Sequence, residues 1–582
     1  MTDKELKKLK DDLWHSADIL RAGAHLAANK YGQPILGLIF LRYADIRYKQ
    51  HKAEIEGRYN ELKGTRMEKS LKEISIEVCG FYLPPEAYYD AINDAPDDAN
   101  KATLVKNAMQ AIEDNNEMMA GVLPKEVYGQ LVPEEEPELL SKIVRVFKDI
   151  PEDISIDLFG EIYEFFLGSF ALQEGKDGGT FYTPASVVRY MVEVLKPASG
   201  GDKKILDPAC GSGGMFVQAA RFMHNHNANA ADMLKFRCYG VEKEPDTVKL
   251  AKMNLLLNNV RGEITEANSF YSDPYNAVGC FDYVMANPPF NVDEVVYDRV
   301  KDDARFNAYG IPRNKTKASA KKASDKKETV PNANYLWISY FASALNATGK
   351  AALVMANSAS DAGKSEYEIR KKMIEDGVIS QMVTLPSNMF SSVTLPATLW
   401  FFDKAKASSA KKDEILFIDA RNVFTQVDRA HRKFSDEQIK NLGIITRLYE
   451  GDTQAFSNLL AEYREAQASA PESSDDAEEK TKPYYQTQID WLTERFPDGK
   501  YCDVVGLCKV AKLDGEDGII DQDYSLNAGR YVGVVIEDDG LTEEEFKAEM
   551  VALNDEFVDL SKEASVLEKK ITQKINELLF RR

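Results

Sequence analysis

From about residue 203 onward, short apolar runs alternate with helix-like segments, and this alternation constrains the fold more than any other feature. The runs are Lys204-Ile-Leu206, Cys238-Tyr-Gly-Val241, Tyr283-Val-Met-Ala286, Ala351 to Met355, Val378 to Leu385 and Thr398 to Phe402. Short apolar runs of this kind read as buried strands. Strands separated by helices need crossover connections, which imply an α/β sheet. The first 153 residues have a different texture. Leu6, Leu9, Leu13, Leu20, Ala24 and Ala27 fall at helical spacing and strand-like alternation is scarce, so residues 1–153 are expected to form an α-helical domain. Residues 154–465 hold the α/β core. Residues 466–540 are expected to be a linker and irregular region, because Ala466 to Lys482 is rich in Ala, Ser, Glu and Asp. Residues 541–582 predict one long helix. In it, Phe546, Met550, Leu553, Phe557, Leu560, Ala564, Leu567 and Ile571 follow a four-three spacing. That is a coiled-coil seam, which must lie along another helix, either the chain's own or a partner's.

Three constellations in the core carry chemistry. In Ile205-Leu-Asp-Pro-Ala-Cys-Gly-Ser-Gly-Gly214 a buried strand ends at Asp207 and a turn of small residues leads into a helix. Glycines there let a ligand approach the backbone, at the strand ends where open α/β sheets bind ligands. Tyr239-Gly-Val-Glu242 ends the next strand in a carboxylate, which can accept both hydroxyls of a ribose or serve as a cap or surface charge. The third is Asn287-Pro-Pro-Phe290, directly after a strand. Two prolines fix an extended corner and remove two N–H groups. The corner holds the Asn287 amide and a backbone carbonyl in one orientation, suited to the two hydrogens of a planar exocyclic amine, with Phe290 placed to stack on the ring.

Together these residues resemble an S-adenosylmethionine-dependent DNA N6-adenine methyltransferase, and more closely the modification (HsdM) subunit of type I restriction-modification systems. The likeness spans nearly the whole chain. Asp18-Ile-Leu-Arg21 and Leu38-Ile-Phe-Leu-Arg42 are similar to that family's N-terminal domain, and Gly179-Thr-Phe-Tyr-Thr-Pro184 to its cofactor loop. Leu385-Pro-Ser-Asn-Met-Phe390 and Ser525-Leu-Asn-Ala-Gly-Arg-Tyr531 match later family segments. The resemblance implies a Rossmann-like methyltransferase core between the helical domain and the terminal helix, with S-adenosylmethionine as cofactor. It implies that Thr183 and Pro184 line the cofactor's methionine end, that Asp207, Gly211 and Gly213 wrap it, and that Glu242 holds its ribose. Adenine-methylating relatives usually have an Asp on the cofactor's adenine amine; here the matching residue is Asn268, whose amide oxygen accepts without charge.

The implied reaction is methyl transfer to N6 of an adenine flipped out of duplex DNA. Asn287 and the Pro288 carbonyl would accept the amine hydrogens within the Pro288-Pro289 corner. Phe290 would stack on the base, and Phe390 is a second aromatic for that role or a core residue. Two further readings stand beside this one: methylation of cytosine N4 or of a protein glutamine amide, and a non-catalytic scaffold in a DNA complex. The resemblance also implies a specificity subunit that reads the bases, with two modification chains per specificity chain, and a restriction subunit in the full complex.

Charge first argues against nucleic acid: 94 acidic and 73 basic residues give −21. The acidic clusters, however, lie outside the core, whereas Arg313, Lys315, Lys317, Lys321 and Lys322 form a basic run within it, as candidates for DNA phosphate. The isolated chain is therefore expected to bind DNA weakly and to need a partner's basic surface. Six scattered cysteines without a CxxC pair suggest a reducing, cytoplasmic setting and no structural metal. His224 and His226 read as a surface loop. Gly363-Lys-Ser365 lacks the first glycine of a phosphate-binding loop, since residue 358 is Ser358. No apolar run is long enough to span a membrane, and no secretory signal is expected.

Overall fold

The structure is a computed structural model, and it describes the chain apart from residues 1–2, 24–27, 97–98, 132–136, 175–182, 198–200, 226–235, 314–327, 391–395, 429–430, 474–479, 536–541 and 580–582. The chain divides into two units, Met1–Val532 and Gly533–Arg582.

The central element of the first unit is a nine-stranded sheet. In chain order its strands are β1 (Lys203–Asp207), β2 (Phe236–Glu242), β3 (Gly262–Glu266), β4 (Phe281–Ala286), β5 (Leu345–Ala356), β6 (Ile379–Thr384), β7 (Ala397–Asp403), β8 (Glu414–Asp419) and β9 (Cys508–Lys512). Their spatial order is β9-β8-β6-β7-β5-β4-β1-β2-β3. All neighbours are parallel except β7, which runs against β5 and β6, and β9, which runs against β8. Side chains alternate across a strand. Ile205, Tyr283 and Met285 accordingly enter one apolar core, and Leu206, Val284 and Ala286 enter another on the opposite face. Covering both faces explains why these strands read as continuous apolar runs. Each large aliphatic side chain buried this way stabilises the fold by roughly 1.5–3 kcal/mol.

No strand occurs among the described residues before β1. Among the described residues up to Phe170, helices and their connecting turns surround a third core, which includes Leu38, Ile39 and Phe40 from the helix Ala28–Leu62 and Phe159, Tyr163 and Phe166 from the helix Ile156–Glu174. Met253 and Leu257 of the helix Pro245–Leu257 join it, so the helical region packs directly on the sheet domain.

Residues 466–540 depart from the expected irregular region. They contain the helix Lys482–Arg495 and the edge strand β9, in a segment bound to the sheet. The sequence Cys508-Lys-Val-Ala-Lys512 hides its strand because only Cys508 and Ala511 are buried. The Ser525–Tyr531 segment is also packed. Tyr531 stacks on Phe417 of β8 with centroids 3.9 Å apart, and the Leu526 N–H donates to the Ser360 carbonyl at 3.0 Å.

The second unit holds the helix Glu543–Leu579. Thr542 caps it, its N–H donating to Glu545 at 2.8 Å. Phe546, Met550, Leu553, Phe557, Leu560, Leu567 and Ile571 are each at least half exposed on it. Among the described residues no helix is long and apolar enough to cross a membrane.

Candidate active site

Four parallel strands, β3, β2, β1 and β4, end side by side at one sheet edge. The chain runs outward from β1 to β3 and returns on the other side of β1 as β4. Loops leaving such a reversal splay apart and open a crevice. A cavity of about 470 Å³ lies there, and its wall includes Gly211, Glu242, Asn268, Asn287 and Pro289.

The turn after β1 is shaped by glycine. Gly211 (φ +51°) and Gly213 (φ +78°) take left-handed conformations, and a Cβ on Gly213 would stand 2.8 Å from Leu255 Cδ1. Asp207 lies beneath this turn, 1% exposed, where its Oδ1 accepts from the Ala209 N–H at 3.0 Å. Burial pushes its carboxyl well above the usual carboxylate range; the Ala209 N–H opposes this and the nearby Glu242 charge adds to it. Asp207 and Gly213 thus hold the turn from below, while Gly211 faces the cavity. Glu242 reaches across from β2. Its Oε2 accepts from the Gly211 N–H at 3.1 Å, and its Oε1 from the N–H groups of Lys243 (2.8 Å) and Glu244 (2.9 Å).

After β3, Asn268 Oδ1 accepts from the Phe270 N–H at 3.0 Å, which turns the loop toward the cavity. Arg305 fixes the same loop from behind. This guanidinium is 2% exposed, pairs with Asp303 at 2.7 Å, and donates to the carbonyls of Ser269 (2.8 Å) and Ser272 (2.9 Å).

The corner after β4 places Pro288 inside and Pro289 outside. Asn287 Nδ2 donates to Thr183 Oγ1 at 3.0 Å, and Asn287 Oδ1 is buried with no hydrogen-bond partner among the described residues. Thr183 therefore sets the amide, leaving its oxygen as an unfilled acceptor at the cavity. An asparagine clasp holds the corner's far side. Asn291 (φ +55°) accepts from the amides of Asn332 and Asn334, both at 3.0 Å, and its N–H donates to Asn334 at 2.8 Å.

The remaining expected residues are dispersed. Thr183 borders a second, smaller cavity with Ser212 and Gly214, and Pro184 caps the helix Ala185–Leu195. Phe290 is half-buried at the junction of the two sheet cores. Phe390 is 5% exposed and belongs to the core, so packing, not base stacking, occupies its ring. The Arg313 guanidinium lies 4.4 Å from the Tyr297 ring centroid and donates to its hydroxyl. Lys315, Lys317, Lys321, Lys322, His226 and the loop 179–182 fall outside the described residues; His224 is exposed. Sequence reasoning missed the Thr183–Asn287 contact, the Arg305 brace and the asparagine clasp. Only the recurrence of Asn at 287, 291, 332 and 334 hinted at the last.

Known proteins resemble this chain in sequence and in fold. A family described as N-6 DNA Methylase matches residues 154–539, and one described as HsdM N-terminal domain matches residues 9–147. The type I restriction enzyme MjaIX methylase subunit of Methanocaldococcus jannaschii is 32% identical, over 98% of this chain and 91% of that protein. The HindI methylase subunit of Haemophilus influenzae is 31% identical, over 83% of this chain and 93% of that one. In fold, the chain is similar to the type I restriction-modification methyltransferase subunit of Streptococcus thermophilus, with a TM-score of 0.66 at 20% identity, covering 91% of this chain and 100% of that one.

Proposed function

The chain belongs to the family of type I restriction-modification methylase subunits, and from that premise we propose how its residues act. The enzyme is an adenine-specific DNA methyltransferase that uses S-adenosylmethionine. This family sets aside the cytosine, protein-glutamine and scaffold readings. The cavity suits the cofactor: a left-handed glycine at the turn, a carboxylate at the end of β2, and an amide oxygen after β3. In our reading Glu242 accepts the ribose hydroxyls, Asn268 accepts from the adenine amine, Gly211 lets the ligand close on the backbone, and Thr183 and Pro184 border the methionine end.

When bound, the cofactor supplies a methyl group on a sulfonium whose departure leaves a neutral thioether. The chain's task is then to shape the nucleophile. The N6 lone pair of adenine is delocalised into its ring. Asn287 Oδ1 and the Pro288 carbonyl accept the two amine hydrogens, draw the nitrogen toward tetrahedral geometry and aim its lone pair. The rate enhancement comes from this positioning and from fixed dipoles. Phe290 stacks on the base, which must leave the duplex to reach the corner. The observation that carries this assignment is the buried Asn287 Oδ1, oriented by Thr183 and without a partner among the described residues.

We further propose that a specificity subunit reads the DNA sequence, that two modification chains bind each specificity chain, and that a restriction subunit joins the full complex. The basic run beginning at Arg313 contacts DNA phosphate in that assembly. The test is Asn287→Ala in the reconstituted complex with labelled S-adenosylmethionine. Methyl transfer should fall at least about a hundredfold, with cofactor binding retained. Equal loss of both would make Asn287 a structural residue, and transfer at the original rate would remove it from the reaction.

A further inference from the structure

Beside the main cavity lies the smaller one, about 20 Å³, bordered by Glu164, Thr183, Ser212, Gly214 and Gln218. That is room for one water-sized group. Glu164 comes from the helix Ile156–Glu174, and its side chain is 14% exposed. Its two oxygens are unequally occupied. Oε2 accepts from Arg221 Nη1 at 3.0 Å and Gln218 Nε2 at 3.2 Å, whereas among the described residues Oε1 has only Gln218 Nε2 at 3.5 Å, the outer limit of a hydrogen bond.

The carboxylate is tied to the cofactor turn by a relay. Arg221 Nη2 donates to Asn258 Oδ1 at 3.0 Å, Asn258 Nδ2 to the Asn254 carbonyl at 2.9 Å, and Asn254 Nδ2 to the Ser212 carbonyl at 2.9 Å. The helix is pressed against this relay: a Cβ on Gly160 would stand 2.4 Å from Asn258 Oδ1. Four residues later on the same helix, Glu164 is therefore held in a fixed place.

We propose that Glu164 binds the α-ammonium group of the cofactor's methionine arm, with Arg221, Asn258 and Asn254 as positioning residues that hold the carboxylate and the Ser212 carbonyl around it. This rests on the cofactor reading given above. An ammonium matches the cavity in size and charge. It needs several acceptors, and Glu164 Oε1, the Thr183 hydroxyl and the Ser212 carbonyl all come from residues bordering the same small space. Thr183 also holds the catalytic amide, so the arm lies next to the reacting corner. Burial raises the Glu164 pKa, with Arg221 offsetting part of the rise, so a cationic group beside it favours its charged form.

Calorimetric titration of the full chain would compare S-adenosylhomocysteine with its analogue bearing hydrogen in place of the α-amino group. The unaltered chain should prefer the amino compound about tenfold or more, the worth of a charge-assisted hydrogen bond. Glu164→Gln should bind both compounds equally, and Glu164→Asp should recover part of the preference. A Glu164→Gln chain that keeps the full preference, or an unaltered chain with none, would overturn the proposal. If Glu164→Gln does not fold, the unaltered chain decides the matter. Its affinity for the amino compound should decline on acidification relative to that for the analogue, and parallel curves overturn the assignment. An unaltered chain that binds neither compound overturns the cofactor reading itself.

Discussion

Two groups of carboxylates in this chain are built on opposite electrostatic plans. In the helical region, Asp45, Asp90 and Glu152 bring their oxygens within 4.8 Å of one another. Lys49 touches all three, at 2.9, 2.6 and 3.2 Å, Lys148 pairs with Asp90, and Arg42 lies 3.2 Å from Asp45. Burial pushes Asp90 up, and Lys148 and Lys49 outweigh it, leaving its carboxyl below the ordinary value; Lys49 lowers that of Glu152. At the sheet edge, Asp207 and Glu242 meet backbone N–H groups instead of cations, and burial holds Asp207 high. The first cluster is complete in itself. The second relies on no cation among the described residues: burial favours the neutral form of Asp207, and three backbone N–H groups hold Glu242, which suits acceptance from uncharged ribose hydroxyls.

Breaking the first cluster should have the largest effect. Asp45 is fully buried against Arg42. Asp45→Ala should destabilise the chain by about 3 kcal/mol, seen as earlier urea unfolding, while the surviving folded fraction keeps its cofactor affinity. Breaking the second should do the reverse. Glu242→Ala should weaken S-adenosylmethionine about ten- to a hundredfold in calorimetry with little change in unfolding. Equal damage to folding and affinity in both variants would erase the distinction.

Acidity provides a subtler contrast. A raised carboxyl pKa favours the folded state while protonated, so the contribution of Asp207 to stability is lost as pH rises from its unfolded value through its folded one. Asp90 is lowered, so its contribution is present above its unfolded pKa and lost as pH falls. Melting temperature against pH should therefore shift in opposite senses for Asp207→Asn and Asp90→Asn. Shifts of the same sense would break the comparison. The smallest effect belongs to Glu152→Ala, whose half-exposed carboxylate should be worth less than about 1 kcal/mol in urea unfolding.

The legibility of the site followed chain distance. Gly211, Glu242 and Asn287 were readable because each stands in a short motif at the end of an apolar run, where local spacing fixes its place. The contacts that tune them were not. Thr183 meets Asn287 across 104 positions, and Arg221 meets Glu164 across 57. Spacing cannot reveal such pairs, since a motif marks where Thr183 stands but not which distant side chain it meets, and the half-buried Glu164 has no motif at all. Burial was equally hidden. From sequence Phe390 reads equally as a base-stacking aromatic or a core residue, and only the packed core shows its ring enclosed. The strand Cys508–Lys512 stayed out of sight because an edge strand with lysines outward lacks the apolar run that exposed the central ones.

The hydrogen bond from Asn287 to Thr183 ties two cavities together. One hydroxyl borders the smaller space beside the turn after β1 and also orients the amide at the larger one. A disturbance at either space is thereby passed to the other through a single oxygen. On the reading proposed above, Thr183→Val should impair cofactor affinity and methyl transfer together, and loss of one alone would show that the two spaces work independently.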